Sequence, residues 1–422
     1  MRFLVLLGAF ALSFPSGPQG QMRAVAPAHS VAVKAELGSP GVDAGDYVYV
    51  SGQGPLRVDG STPANFADQV RQSLDNIKSV LQAAGLTMAH VVYVQVYLLN
   101  VTRYVELNNI FADYFPKDPP ARAVLGVARL PQEEEIQINA VAVRDLKGKQ
   151  PVSEPNSPPT KGYSPGMLTY DRLFVSTMPG SHSTGTVPED PAAQVNLALD
   201  RMRSVLQAAG LTMAHMVFVN PYLTSELPMR IMNHEYAQRF EFGNTPARAT
   251  IEVSSLPESA HIAYTGVAVR DLARRHAIRP KNMPPSPTAS PCVFAGDTLY
   301  CSAKSGFIPG PNGGVYAATT TDQTRQTMRN LLDNLEEADL SFDQVVSTDI
   351  YLDDLSDSPL FAKVYKKYFS GILPAQTTLQ QIPSTERKPD AEGRYPDLEQ
   401  MSLIAVRMRG TSNCILCRNK SQ

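Results

Sequence analysis

An internal duplication constrains this chain more than any other feature. The twelve residues SVLQAAGLTMAH occur at Ser79–His90 and again, unchanged, at Ser204–His215. The segment PAR recurs in the same way, at Pro120–Arg122 and Pro246–Arg248. A third, diverged copy of the region around the first run aligns without gaps over Asn330–Leu352. Repetition at a fixed period along the sequence means that one structural unit is built three times.

The length of the chain suits this organisation, because 422 residues divide into three units of ordinary domain size. We predict repeats at 28–146, 160–272 and 286–409, of which the last is diverged, and a C-terminal tail at 410–422. Two proline-rich stretches separate the repeats. Connections of that composition are extended and semi-rigid, so we interpret them as linkers between domains.

The N-terminus has the pattern of a secretory signal. Met1 and Arg2 precede a twelve-residue apolar run, FLVLLGAFALSF, and a breaker-rich PSGPQG segment. Such a run is too short to span a bilayer but is typical of a cleaved signal peptide. We therefore predict a signal peptide at 1–20 and a secreted or periplasmic protein. A lipoprotein anchor is excluded because the first cysteine is Cys292.

The cysteines support an oxidising compartment. Cys292 and Cys301 flank VFAGDTLY, which predicts a hairpin with Gly296-Asp297 as its two-residue turn. Counting outward from that turn sets the two cysteines directly opposite each other at a non-hydrogen-bonded position, where a disulfide is geometrically feasible. In an exported protein we expect this pair to be oxidised. Cys414 and Cys417 in the tail fit either a second disulfide or two idle thiols.

Each repeat has the pattern of a mixed α+β unit. In the first copy, alternating apolar residues at Tyr47–Gly52 predict a strand. Apolar residues at helical spacing between Phe66 and Leu81 predict an amphipathic helix. An apolar strand at His90–Leu98, a second helix and two further strands follow. The order is β-β-α-β-α-β-β, which predicts a sheet with both helices on one face.

This order and its motifs resemble the RidA family, the reactive-intermediate deaminases that are also called YjgF or L-PSP proteins. The matching segments in the first copy are VSGQ (Val50–Gln53), LNNIFADYF (Leu107–Phe115), PPAR (Pro119–Arg122) and INAVAV (Ile138–Val143). The resemblance implies a chorismate-mutase-like fold that assembles as a homotrimer with a small pocket at each subunit interface. Three copies in one chain then predict an intramolecular pseudo-trimer and a monomeric protein.

The resemblance also implies a chemistry, the hydrolysis of imines or enamines derived from amino acids to a keto acid and ammonia. The arginine of the PAR motif holds the substrate carboxylate in this family, and Arg122 and Arg248 match it. A guanidinium binds a carboxylate through two hydrogen bonds and keeps its charge in an apolar pocket. The alternative is a structural arginine that pairs with an acid across the sheet. Gln376 stands at the third position and carries no charge, which predicts that one pocket is altered.

Further residues match the family's substrate site. Ser51 and Gly52 match a backbone and hydroxyl site near the substrate. Asn108 and Asn233 match a helix asparagine that faces the pocket, and Tyr163 matches a tyrosine of the family motif. Each has a plainer interpretation as well, because serines are common in turns and asparagines on a helix are often solvent-exposed.

The most serious departure concerns the glutamate that positions water in the last strand of family deaminases. We place Asn139, Thr265 and Ser402 at that position, so no copy keeps a carboxylate there. Water attack on an imine needs a proton acceptor within hydrogen-bond reach, which makes deaminase activity of the usual kind doubtful. His90 and His215 do not replace it, because we interpret both as residues of a helix-to-strand turn.

Composition narrows the function further. The net charge is −2 and no block of Lys and Arg exists, which argues against nucleic-acid and anionic membrane partners, and so against the ribonuclease activity of some family members. The leading hypothesis is an exported protein that binds small carboxylate ligands at inter-repeat pockets and hydrolyses an imine or enamine. The alternative is a non-catalytic binding or scaffold protein that has kept carboxylate recognition. Neither hypothesis involves a cofactor or a metal.

Overall fold

The structure is a computed structural model that describes residues 22–27, 38–155, 160–182, 184–310, 313–382 and 386–408. The predicted signal peptide and the tail, with Cys414 and Cys417, lie outside the described residues. Within those ranges no helix is both long enough and apolar enough to cross a membrane. Each repeat forms its own mixed sheet with helices packed on it, so the predicted α+β class with three chorismate-mutase-like repeats is confirmed.

The first repeat sets the pattern for the other two. Its elements in chain order are β1 (Arg23–Val25), β2 (Gly41–Asp43), β3 (Tyr47–Gln53), α1 (Phe66–Ala83), β4 (Val91–Leu98), α2 (Tyr104–Tyr114), β5 (Ala121–Gly126) and β6 (Ile136–Val143). The sheet order is β1-β2-β3-β6-β4-β5, and β4 and β5 pair in parallel. The short edge strand β1 is an addition to the predicted order.

The second repeat begins inside the first proline-rich connection. Its elements are β7 (Gln150–Val152), β8 (Gly166–Leu168), β9 (Arg172–Pro179), α3 (Pro191–Ala208), β10 (Met216–Leu223), α4 (Met229–Ala237), β11 (Ala247–Arg248), β12 (Ile251–Glu252) and β13 (Ile262–Val269). The sheet order is β11-β10-β13-β9-β8-β7, and β12 also pairs with β10. Part of the predicted linker is therefore an edge strand of the repeat that follows it.

The third repeat follows the same scheme. Its elements are β14 (Arg275–Ile278), β15 (Cys292–Ala295), β16 (Thr298–Ser305), α5 (Thr320–Glu337), β17 (Val345–Leu352), α6 (Ser358–Tyr365), β18 (Ala375–Gln380) and β19 (Glu399–Val406). The sheet order is β14-β15-β16-β19-β17-β18. The edge strand β14 lies in the second proline-rich connection and pairs with β15.

The local sequence explains why the long helices begin and end where they do. Asn65 caps α1 by accepting the backbone N–H of Asp68 at 2.9 Å. The predicted apolar stripe from Phe66 to Leu81 is buried against the sheet. Gly85 follows the helix with φ +75°, a left-handed conformation that favours glycine at a helix C-terminus. Each repeat thereby buries its own core between its helices and its sheet.

The predicted cysteine hairpin has the register that we derived from its turn. Cys292 lies opposite Cys301, and Ala295 lies opposite Thr298. The two cysteines form a disulfide with their Cα atoms 4.0 Å apart. The bond joins β15 to β16 within the core of the third repeat.

The other face of each sheet packs against the neighbouring repeats. Two buried apolar clusters contain residues from all three repeats, including Tyr49, Phe218 and Val346 in one and Tyr97 and Tyr222 in the other. Each sheet thus has an apolar face that only the other repeats cover, which is the arrangement of a trimer formed within one chain.

The same hydrogen bond recurs at each of the three junctions between repeats. The backbone N–H of the residue at the PAR arginine position donates to a serine hydroxyl of the next repeat, at 2.7–2.8 Å in each case: Arg122 to Ser176, Arg248 to Ser302, and Gln376 to Ser51. Each hydroxyl in turn donates to a backbone carbonyl of its own repeat. The third junction joins the last repeat to the first, so the three repeats are arranged cyclically.

Candidate functional site

Arg122 lies at the junction of the first and second repeats. It belongs to β5, where its partner on the parallel strand β4 is Val94. Its backbone N–H donates to the hydroxyl of Ser176 in the second repeat at 2.7 Å, which places this part of β5 at the interface. The residue is only 2 % exposed. The fold therefore buries a cation between two repeats.

Aromatic rings and one amide surround the Arg122 guanidinium. Its Nη2 donates to the Oδ1 of Asn108 on α2. Its central carbon lies 4.7 Å from the ring centre of Phe111, 4.8 Å from that of Tyr163 and 5.7 Å from that of Tyr104. Rings at such distances attract a cation without neutralising it. The structure thus brings together three of the predicted site residues, Arg122, Asn108 and Tyr163.

The charge of Arg122 has no counter-ion among the residues that the structure describes. No described carboxylate forms a salt bridge with it, and its Nη1 is buried without a hydrogen-bond partner. Burial lowers the pKa of Arg122, although a guanidinium stays protonated in proteins. An unpaired buried charge is costly, so this geometry favours an anion as the missing partner. The alternative of a structural arginine paired across the sheet does not fit Arg122.

A small cavity adjoins this guanidinium, and we call it the first pocket. Its volume is about 40 Å³, which is enough for a few water-sized groups. Residues of two repeats line it, among them Tyr104, Arg122, Tyr163, Thr177, Arg201 and Glu258. The sequence interpretation missed Arg201 and Glu258, because neither belongs to a motif that matched.

These two residues give the first pocket additional charge. The Nη2 of Arg201 forms a salt bridge of 3.0 Å with Glu154, which lies just after β7. The Oε2 of Glu258 accepts a hydrogen bond of 3.3 Å from the hydroxyl of Ser181. The pocket therefore combines the unpaired cation of Arg122 with a carboxylate from the other repeat.

Arg248 occupies the equivalent place between the second and third repeats. Its Nη1 donates to the Oδ1 of Asn233 at 2.7 Å, and its central carbon lies 5.2 Å from the ring centre of Tyr236. Burial lowers the pKa of Arg248. Ala289 stands where the first pocket has Tyr163, so the second site has fewer aromatic walls. The predicted pair of Arg248 and Asn233 is nevertheless in direct contact.

The third junction differs from the other two. Gln376 replaces the arginine, and its side-chain amide donates to the hydroxyl of Thr378 on its own strand. Ala362 replaces the helix asparagine. The predicted residues Ser51 and Gly52 lie at this junction, beside Gln376 and Gln137, and not beside either arginine. Ser51 supports the backbone of Gln376 there.

The assignment of Asn139 and Thr265 to the arginine pockets is wrong. The Nδ2 of Asn139 donates to Gln95 and to Thr377, each at 2.9 Å, and the hydroxyl of Thr265 lies 3.1 Å from that of Tyr222. Both face the centre of the three repeats. The residue of β13 that lines the first pocket is Ala263, two positions earlier. Two residues along a strand span about 7 Å, which separates the pocket from the centre.

The central side chains enclose a second small space, which we call the axial cavity. Its volume is about 50 Å³, and residues of all three repeats line it. Gln95, Asn220 and Asp349 occupy equivalent positions, the fifth residue of β4, β10 and β17. Burial raises the pKa of Asp349 to about 7, although a hydrogen bond from Thr377 opposes the rise. The lining therefore mixes apolar and polar side chains, and Asp349 is its one carboxyl group.

The described residues contain no cluster of three or more His, Cys, Asp or Glu side chains that could hold a metal ion. His90 lies in the turn between α1 and β4, as its position predicts, where its Nδ1 accepts the backbone N–H of Thr87 at 3.1 Å.

Comparison with known proteins identifies the class. The family model described as Endoribonuclease L-PSP matches residues 29–144, 154–269 and 282–383. These matches cover most of the chain, one for each repeat, and the chain belongs to this family.

Individual relatives match one repeat at a time. The RutC family protein PH0854 of Pyrococcus horikoshii is 35 % identical over 109 residues, which are 25 % of this chain and 86 % of that protein. The 2-iminobutanoate/2-iminopropanoate deaminase of Escherichia coli is 39 % identical over 108 residues, 25 % of this chain and 84 % of that protein. Among solved structures, the Escherichia coli YjgF gene product is 35 % identical and covers 29 % of this chain and 99 % of its own, with a TM-score of 0.28.

Proposed function

We propose that this protein binds small carboxylate-bearing ligands in two inter-repeat pockets, around Arg122 and Arg248, and that it hydrolyses an imine or enamine there to a keto acid and ammonia. The alternative is a binding protein without turnover. Both share the same recognition step. They differ in whether a pocket supplies a group that accepts a proton.

The observation that carries the proposal is the Arg122 guanidinium, which has polar neighbours in Asn108 and Tyr104 but no described carboxylate partner. The cation is fixed on one side by Asn108, enclosed by three aromatic rings, and left with a buried Nη1 that has no partner among the described residues. A carboxylate would accept from that nitrogen and compensate the charge. The small volume of the first pocket, about 40 Å³, favours a small ligand.

The comparison with relatives supports the reaction class. The Escherichia coli relative is named for 2-iminobutanoate and 2-iminopropanoate, both of which are small carboxylates with an imine on the adjacent carbon. Such molecules suit a small pocket that has one cation without a described counter-ion, Arg122. The net charge of −2 supports a small ligand over a nucleic acid.

We also propose that the protein is exported and acts as a monomer. The signal-like N-terminus and the Cys292–Cys301 disulfide support export, because disulfides persist in oxidising compartments. The cyclic contacts among the repeats support a monomer, because they leave each pocket complete within one chain. Light scattering of the full chain should give the mass of one chain. An obligate trimer of chains would contradict this.

Calorimetric titration with pyruvate tests the binding proposal. We expect two equivalents to bind the wild type, and Arg122→Ala and Arg248→Ala each to remove one. A charge-assisted hydrogen bond contributes about 1.5–3 kcal/mol, so each loss should weaken binding at that pocket by roughly ten- to a hundredfold. Gln376→Ala is the matched control and should leave the stoichiometry at two. Unchanged binding in the double arginine variant would show that the site lies elsewhere.

A further inference from the structure

A hydrolytic pocket needs a proton acceptor, and the last strand of the second repeat does not supply one. The residue of β13 that lines the first pocket is Ala263. Thr265 on the same strand faces the axial cavity side, where it contacts Tyr222. If the first pocket hydrolyses imines, as proposed above, the acceptor has to come from another element.

Glu258 is a carboxylate that lines the first pocket from a different element. It lies in the short turn Pro257–Ser259, between β12 and β13. Its backbone has φ +61°, a left-handed conformation that is uncommon outside glycine. The equivalent turn of the first repeat has the same shape, with Gln132 at φ +59°. The two turns therefore have the same geometry. At this position the first repeat has an amide, Gln132, and the second repeat has a carboxylate, Glu258, which lines the pocket that holds Arg122.

The charge of Glu258 is available to a ligand. Its Oε2 accepts only a long hydrogen bond, 3.3 Å, from the neutral hydroxyl of Ser181. The nearby cation Arg201 is already paired with Glu154 through three contacts of 3.0–3.4 Å. In the part of the chain that the structure describes, no salt bridge is formed by Glu258 itself.

Glu258 also acts electrostatically on the wall of the pocket. Burial is the main cause that raises the pKa of Tyr163, and the negative charge of Glu258 adds to that rise. Tyr163 lies against the Arg122 guanidinium, 4.8 Å from its central carbon. The charges of both Arg122 and Glu258 therefore act on Tyr163. Tyr163 lies where we expect an imino acid to bind.

We propose that Glu258 is the proton acceptor for imine hydrolysis in the first pocket, whose substrate is a small 2-imino acid. Arg122 holds the carboxylate, and the protonated imine lies toward Glu258. The oxygen of water bonds to the imine carbon, the π electrons of the C=N bond move to nitrogen, and Glu258 accepts the proton that the water loses. Glu258 then returns the proton to nitrogen and the C–N bond breaks. The hydroxyl becomes the keto carbonyl, and its proton leaves with ammonia as ammonium.

This proposal rests on the proposed function, and one variant separates the two. Arg248→Ala should leave the first pocket as the only site, so it serves as the parent for every measurement. In this parent we expect one equivalent of pyruvate to bind and 2-iminopropanoate, generated in situ by an amino acid oxidase from alanine and O₂, to be hydrolysed. Adding Glu258→Gln should lower kcat at least about a hundredfold, because a general base typically contributes 10²–10⁴-fold. Pyruvate binding should stay within about twofold, because Arg122 is intact.

Glu189→Gln is the control, since Glu189 is exposed, as Glu258 is, but does not line the pocket. It should change neither the rate nor the binding. A rate equal to that of the parent in the Glu258→Gln variant would overturn the role of Glu258, but it would not contradict ligand binding in the first pocket. Pyruvate binding without any hydrolysis in the parent would overturn it as well. A parent that binds no pyruvate would contradict the proposed function itself.

Discussion

Two arginines of this protein are equally buried and have opposite surroundings. Arg122 and Arg172 are each 2 % exposed. Arg172 forms two hydrogen bonds with Asp171, at 2.7 and 3.0 Å, and a third with the hydroxyl of Tyr300 at 2.8 Å. Arg122 has the amide of Asn108 and three aromatic rings, but no described carboxylate.

The pKa shifts of the two groups run in opposite directions. Burial is the largest single influence on both and lowers the pKa, but at Arg172 the carboxylate of Asp171 together with Tyr300 and Tyr47 more than offsets it, and the pKa is raised well above its usual value. At Arg122 burial prevails and the pKa is lowered. Arg172 thus forms an ion pair, whereas Arg122, at the same exposure, has no described carboxylate partner. Burial alone does not distinguish these two arginines, whereas their partners do.

Replacing Arg122 or Arg172 by alanine should change the free energy of unfolding by very different amounts. Arg172→Ala leaves Asp171 buried without a partner and should reduce the free energy of unfolding by about 3–5 kcal/mol. Arg122→Ala removes a charge that had no partner, so we expect a change below about 1 kcal/mol. Urea unfolding of both variants measures the difference. Equal losses would contradict the distinction.

A double variant is the control for this experiment. Arg172→Met combined with Asp171→Asn removes both charges and keeps most of the volume. It should recover much of the stability that Arg172→Ala loses, because a buried ion pair contributes little net stability compared with neutral groups.

Asp349 is a buried carboxyl group without a cationic partner among the groups that shift its pKa. Its pKa in the folded protein is raised to about 7, against about 3.9 in an unfolded chain. The folded state therefore holds a proton that the unfolded state releases between about pH 4 and 7, and stability falls as the pH rises through that window. Asp349→Asn should avoid this loss and stabilise the protein on the order of 2 kcal/mol at pH 8, but not at pH 4.

Unfolding curves at several pH values test this expectation. The exposed Asp113→Asn is the matched control and should follow the wild type at every pH. If the wild type and Asp349→Asn lose stability in parallel as the pH rises, another group is responsible for the loss.

Asn108 should have a smaller effect, because it orients Arg122 and contributes no charge. In the Arg248→Ala parent, Asn108→Ala should weaken pyruvate binding roughly three- to tenfold, the effect of one ordinary hydrogen bond. The neighbouring Asn109→Ala is the control, since Asn109 accepts from Lys161 at the surface. An identical Kd for all three proteins would show that Arg122 is held in place without Asn108.

Introducing an arginine and an asparagine at the third junction should give the smallest effect. Gln376→Arg combined with Ala362→Asn rebuilds the arginine and asparagine pair at the third junction, where Ser51 already holds the backbone N–H of residue 376. We expect titration with pyruvate to show a third equivalent, bound about tenfold more weakly than at Arg248. Gln376→Met in the same background should bind two equivalents, and a stoichiometry of two in both would show that the third junction lacks more than the charge.

The architecture could be predicted from the sequence because its signals are local or repeated. The duplicated run and the PAR motif located two units, the diverged copy at Asn330–Leu352 located the third, and the apolar stripe of α1 predicted which residues face the core. The turn Gly296-Asp297 fixed the register of the hairpin and hence the opposition of Cys292 and Cys301. Each of these depends on a few adjacent residues.

The errors arise where residues distant in the sequence determine the outcome. The strands β7 and β14 lie in proline-rich connections and form because the next repeat offers a free sheet edge. Asn139 was assigned to a pocket because a strand pattern shows which face a residue occupies but not how far along the sheet the pocket lies. Glu258 was missed because a lone glutamate in a turn matches no motif, and only the packing of the repeats places it on the wall of the first pocket.

The axial cavity shows what covalent fusion makes possible. In a trimer of identical chains every residue at the centre meets two copies of itself, so an acid there would place three like charges around one small space. This chain instead has an acid, an amide and an amide at the three equivalent positions, Asp349, Gln95 and Asn220. A tandem protein can therefore change one third of its centre, or one of its three junctions, while the other two remain as they were.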